Sequence, residues 1–141
     1  SRRIFIFAML MCLIFLVIVA MEPAISAEDN RDDDRPLPHL FGDHPEMIAQ
    51  FEGKKVKVEG IIVDTHIAKS GKVRFLNFSR DWRKAFTVVI FTTNLEEFTD
   101  KVGEPARYYL GKRVIVTGKV KIYKGRPEII VKSPEQIKVM Y

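Results

Sequence analysis

Apolar and polar positions divide the chain into three unlike stretches. Residues 4–20 (IFIFAMLMCLIFLVIVA) form an unbroken apolar run. Residues 28–39 (EDNRDDDRPLPH) are charged, proline-bearing and aperiodic, the pattern of a linker. Beyond them the apolar residues return at short, mostly alternating intervals, the period of strands with one buried face. Residues 55–64 (KVKVEGIIVD) set Val56 and Val58 against Lys55, Lys57 and Glu59, which predicts a first strand. Residues 73–78 predict a second, 86–92 a third, 113–123 (RVIVTGKVKIY) a long fourth and 128–132 a fifth. Ser133-Pro134 breaks the fifth, and residues 136–140 add a short tail strand. Lys124-Gly125-Arg126 predicts a tight turn between strands four and five.

Helical spacing appears twice. Asp43-His44-Pro45-Glu46 resembles a capped helix start with proline in the first turn. Met47, Ile48 and Phe51 give it an apolar face, stopped by Gly53. This short helix is expected to plug one end of the sheet. Leu95, Phe98 and Val102 mark a second face, and Glu104-Pro105-Ala106 starts another turn reaching Leu110, so residues 95–110 are expected to be helical. Glycines 60 and 118 interrupt the two longest strands, the signature of a bulge or sharp bend. Three strands, a helical connection and two strands, with bends in the first and fourth, is the order of the OB fold. The predicted class is therefore all-β: a five-stranded OB-fold Greek-key barrel with one or two short helices, one lying between strands three and four.

The first stretch reads as a targeting segment. Arg2 and Arg3 precede the apolar run, and Pro23, Ala24, Ser26 and Ala27 follow it, the layout of a signal peptide. The expected organisation is a leader over residues 1–27, cleaved near Ala27, an acidic linker over 28–42 and an OB domain over 43–141. A retained N-terminal anchor is the alternative, since 17 apolar residues sit at the short edge of what can span a membrane. Either way the domain is expected to be exported, periplasmic or secreted, with the membrane reached only through an uncleaved leader.

Charge narrows the partner. The chain carries a net +5, but residues 28–35 hold five acids and two arginines, and from Pro36 onward 19 basic residues face 12 acidic ones, a net +7. A basic domain behind an acidic linker favours an anionic partner, though a merely solvated basic face gives the same balance. Chemistry narrows it further. The one cysteine, Cys12, lies in the apolar run, so disulfides, thiolate metal sites and thiol nucleophiles drop out together. His39, His44 and His66 show no ligand spacing, and no Ser/His/Asp order or phosphate-cradling glycine loop is present. No cofactor, metal or catalytic residue is expected. Asp64 reads as a strand-ending residue.

The motifs V-K-V-E-G-I-I-V, S-G-K-V-R-F-L-N-F-S-R-D, F-T-V-V-I-F and L-G-K-R-V-I-V-T-G-K-V follow one another over residues 56–139. In that order they resemble the nucleic-acid-binding OB domains of the tRNA-anticodon type. F-L-N-F-S-R-D-W-R-K-A-F-T-V-V-I and the ending G-R-P-E-I-I-V-K-S-P-E-Q-I-K-V are similar to a small OB module of exported bacterial proteins and micrococcal-nuclease-like proteins. Two departures stand out. The turn between strands two and three is Ser79-Arg80-Asp81-Trp82-Arg83-Lys84 instead of D-G-x-G, and Val88 stands where the family often carries an acceptor.

The resemblance implies single-strand binding on strands two and three and on the loops joining strands one–two and four–five. Such binding combines a basic groove along the phosphates with flat side chains for bases to stack on. Phe75 falls where the family places a stacking phenylalanine, with Asn77 beside it. Alternation puts Leu76 and Phe78 in the core, and the opposite assignment, Phe75 inside and Phe78 outside, stays open because both faces of this strand are apolar. Arg80, Trp82, Arg83 and Lys84 offer an indole among cations, as either a stacking lid or a plug on the sheet edge. Lys69 and Lys72 flank the one–two turn. Lys119, Lys121 and Tyr123 face outward on strand four, and Lys124 and Arg126 cap the four–five turn. The expected ligand is single-stranded DNA or RNA. The alternatives are an adaptor for another exported protein and the accessory module of a secreted nuclease.

Overall fold

The computed structural model describes residues 35–141, so the predicted leader and residues 28–34 of the acidic linker lie outside the described residues. Residues 36–141 form one compact unit. In chain order its elements are β1 (His39–Phe41), α1 (Pro45–Ala49), β2 (Lys55–Ile61), β3 (Asp64–Ile67), β4 (Val73–Asn77) and β5 (Thr87–Phe91). They are followed by α2 (Leu95–Val102), α3 (Pro105–Tyr108), β6 (Arg113–Tyr123), β7 (Arg126–Ile130) and β8 (Ile137–Val139).

The pairings are OB-like in several respects. β2 runs antiparallel to β6, β3 to β4, β4 to β5 and β6 to β7, while β5 and β7 are parallel. The helical connection lies between β5 and β6 as expected, divided into α2 and α3 at Gly103. The closed five-stranded barrel, however, does not form. The strands make one mixed eight-stranded sheet in the order β1-β2-β6-β7-β5-β4-β3, with β8 paired to β6. Three helices accompany it, not one or two. The sheet stays open for a local reason. The predicted first strand breaks at Ile62-Val63, where the Ile62 amide donates to Lys112 O (3.0 Å) and the Val63 amide to Asn77 O (3.0 Å). The chain thus leaves β6 and restarts as β3 on β4. The outer edge of β2 is meanwhile taken by β1, formed from residues the sequence places in the linker and paired in parallel through His39–Lys57, Leu40–Val58 and Phe41–Glu59.

The two strand glycines have a different cause from the one expected. β2 and β6 stay in continuous register from Lys55–Lys119 to Ile61–Arg113, with no bulge at Gly60 or Gly118. Both glycines instead admit a neighbouring side chain. A methyl group on Gly60 would lie 2.7 Å from Phe78 Cδ1, and one on Gly118 would lie 2.5 Å from Ile129 Cγ2. Gly118 also marks the point where one edge of β6 changes partner from β8 to β7.

The core lies on the inner face of this sheet. Val56, Val58, Ile62, Leu76, Val88, Ile90, Val114, Val116 and Ile129 are fully buried there with Phe86. Helices add Ile48 from α1 and Phe98 from α2. Helix α1 starts at His44 without a side-chain cap, so Asp43 does not take the capping role its sequence position suggests. The β6–β7 hairpin turns through Lys124 (φ 48) and Gly125 (φ 76), two left-handed residues that match the twist of an antiparallel pair.

Candidate nucleic-acid interface

Period-two alternation on β3, β4, β5 and β7 gives the sheet a second face. Register places Asp64 beside Asn77, Asn77 beside Thr87, Thr87 beside Glu128, and Glu128 beside Lys121, a polar row across five strands. Next to it runs a row of His66, Phe75, Val89 and Ile130. Phe75 is half-buried on this face, whereas Phe78 is 7% exposed and packs its ring 5.0 Å from that of Phe86. Of the two assignments left open, the structure takes the one with Phe78 in the core.

A cleft of about 480 Å³ opens over these rows, lined by Asp64, Thr65, His66, Phe75, Asn77, Trp82 and Arg126. Its floor is aromatic, with the rings of His66 and Phe75 stacked 6.1 Å apart at 24°. Its far side is the turn bearing Trp82. That turn is shaped by short polar side chains that accept amides two residues on: Ser79 Oγ from Asp81 (3.2 Å) and Asp81 Oδ1 from Arg83 (3.3 Å). Arg126 ties it to β7, its Nη1 donating to Trp82 O (2.8 Å) while its guanidinium lies 5.0 Å from the indole centroid. Arg83 sits 5.5 Å from the same ring. Trp82 nevertheless remains 52% exposed, so the indole is available at the mouth of the cleft.

The polar row is ordered by hydrogen bonds. Thr87 Oγ1 donates to Asn77 Oδ1 (2.7 Å), and Asn77 Nδ2 donates to Asp64 Oδ2 (3.3 Å). Glu128 is only 7% exposed, and its carboxyl makes no hydrogen bond or ion pair with any described residue. Burial pushes its pKa up, against the opposing pull of Lys121 and Arg126. On the opposite side of β4, Arg74 is engaged by Glu104 through Nε (3.1 Å) and Nη2 (3.2 Å) and is held by its own protein instead of a ligand.

Of the residues singled out from sequence, the cleft gathers Phe75, Asn77, Trp82 and Arg126. Lys121 stands beside Glu128 at the end of the polar row, and exposed Tyr123 faces Arg126 in register with Lys124 Nζ 5.4 Å from its ring. Arg80, Arg83 and Lys84 are exposed on the Trp82 turn without lining the cleft. Lys119 pairs with Lys55 at the β2 side, and Lys69 and Lys72 sit on the β3–β4 turn; none of the three lines the cleft. Sequence reading missed Asp64, Thr65, His66 and Glu128. The first three lie in β3, which resumes after the break at Ile62-Val63, so a reading of one strand ending at Asp64 sends His66 into a loop. Among the described residues no group of three His, Cys, Asp or Glu is placed to hold a metal ion.

No family model matches the chain, and no curated protein matches it. Several solved structures are similar. Asparaginyl-tRNA synthetase from Entamoeba histolytica, in complex with asparaginyl-adenylate, is 20% identical with a TM-score of 0.45, over 74% of this chain and 24% of that one. Asparaginyl-tRNA synthetase from Pyrococcus horikoshii is 26% identical with a TM-score of 0.41, over 64% of this chain and 20% of that one. The OBody AM1L10, bound to hen egg-white lysozyme, is 21% identical with a TM-score of 0.48, over 75% of this chain and 95% of that one. The chain thus spans a quarter or less of the length of these synthetases. Its OB-like character stands on its own strand pairings.

Proposed function

We propose that this domain is a binding module for single-stranded nucleic acid, which takes one base into the cleft between Phe75–His66 and Trp82. The observation that carries the reading is the cleft itself: flat rings on its floor and at its mouth, with Arg126 beside the indole. Bases stack on such rings whatever their identity, and cations along the rim take the phosphates. Lys121, Lys124, Arg83 and Lys84 provide that rim in the proposed mode. Arg126 serves both purposes, because it supports Trp82 and adds charge.

Trp82 is the one tryptophan of the chain, so its fluorescence reports directly on occupancy. Single-stranded oligonucleotides are expected to quench it, with affinity falling as salt rises. Three phosphate contacts give a log–log slope of about −2, at about −0.7 per contact on single strands. Arg126→Gln is expected to weaken binding and flatten that slope by about 0.7. Binding that ignores salt, or an indole signal that oligonucleotide leaves unchanged, would refute the proposal.

A further inference from the structure

Besides Arg126, the cleft is lined by an acid. Asp64 lines it, and one of its oxygens, Oδ2, accepts from Asn77 Nδ2 (3.3 Å). Asn77 cannot turn its amide over without cost. Its Oδ1 takes the Thr87 hydroxyl at 2.7 Å, and a flip would set that oxygen against the Asp64 carboxylate, which only accepts. Asp64 Oδ1 is left with no hydrogen-bond partner among the described residues. Arg126, the cation of the cleft, gives Nη1 to the Trp82 carbonyl and lies over its ring, which leaves its other N–H donors for phosphate at the rim. Asp64 Oδ1 is thus an acceptor left free beside the aromatic floor of the cleft. It repels phosphate and favours the amino edge of a base.

We infer that Asp64, held by the Asn77–Thr87 relay, makes the cleft prefer a base with an exposed amino group, cytosine above uracil, a preference that presupposes the single-strand binding proposed above. The chemistry is direct. Cytosine presents its N4 amino group at the edge, a donor that Asp and Glu carboxylates accept. Uracil carries a carbonyl at that position, and its one donor, N3–H, stands between two carbonyl oxygens that a carboxylate repels. The two pyrimidines are otherwise alike in size and in the ring they offer to Phe75.

The test compares oligo-dC, oligo-dU and an abasic strand of equal length on the full chain, by Trp82 fluorescence at neutral pH and fixed salt. The expected result is oligo-dC binding about fivefold or more tighter than oligo-dU, the low end for one base-edge contact. Asp64→Asn keeps the shape, gives its oxygen to Asn77 and presents an amide donor, so the preference should vanish or reverse. A thermal melt of the variant checks that the half-exposed position tolerates the change. Equal affinity for oligo-dC and oligo-dU, both above the abasic strand, overturns the preference and leaves the stacking cleft standing. A cytosine preference that survives in a normally melting Asp64→Asn overturns the role of Asp64. Binding no better than to the abasic strand removes the base slot itself, and the preference with it.

Discussion

Truncating Phe78 and truncating Phe75 should separate the two faces of one strand. Phe78 is buried against Phe86, and two glycines receive its ring: a methyl group on Gly42 would lie 2.3 Å from Phe78 Cδ1, and one on Gly60 2.7 Å from the same atom. Removing the ring leaves a gap beside two residues with no side chain to move into it. The cost depends on how far a site collapses, and Phe→Ala in a core costs about 3–5 kcal/mol. Phe78→Ala belongs at the upper end of that range. For a body of this size, with about 4 °C of Tm per kcal/mol, the loss is roughly 20 °C. Phe75 is half-buried over the cleft, so its truncation should move Tm far less. Its expected cost falls on binding, about 1–3 kcal/mol if a base stacks there, or roughly 5- to 150-fold in Kd. Calorimetric melts and Trp82 titrations on the same pair of variants give both readouts. A Phe75→Ala variant that melts as low as Phe78→Ala would refute the assignment of faces, as would a Phe78→Ala variant that melts like the parent.

Gly60→Ala is expected to destabilise by about 1–3 kcal/mol through overpacking against Phe78, and Phe78→Leu in the same chain should recover part of that loss, both read from melts. Glu104 is held below its usual pKa of 4.5 chiefly by its hydrogen bond from Arg74. Its contribution to stability is present above that value and is lost as pH falls through the lowered folded pKa, so Glu104→Gln should lower Tm at neutral pH and change little in acid. Glu128 behaves with the opposite sign: its folded pKa is raised by burial, so stability is lost as pH rises from 4.5 through the raised value. Glu128→Gln should therefore raise Tm at neutral pH and leave the acid melt unchanged, and a loss of Tm at neutral pH would show that the carboxylate has a stabilising partner.

Period-two alternation was enough to locate most strands of the sheet, because burial on one side leaves a mark at every second residue, but it left the core face of β4 open, since both faces of that strand are apolar. Residues 113–123 coincide with β6, and Leu95, Phe98 and Val102 did announce α2. The candidate site was legible only in part. Phe75, Asn77, Trp82 and Arg126 carry recognisable chemistry in recognisable places, while Lys69, Lys72 and Lys119 share that chemistry and lie away from the cleft. A lysine at a turn looks the same in sequence whichever end of the sheet the turn occupies.

The sequence by itself determined the alternating strands, the helical insertion, the tight Lys124-Gly125 turn and the absence of thiol chemistry after Cys12, since each follows from local pattern or composition. Only the tertiary structure decided that the sheet stays open. That outcome turns on the short strand β1 occupying the edge of β2, and on the chain changing partners at Ile62-Val63, neither of which leaves a periodic trace. The tertiary structure alone also explains the glycines. Their missing side chains make room for Phe78 and Ile129, residues distant in sequence, where a local reading sees only a possible bend. It alone joins Asp64, Asn77, Thr87 and Glu128 into one row, because strand register is set by pairing across the sheet and no segment carries it alone.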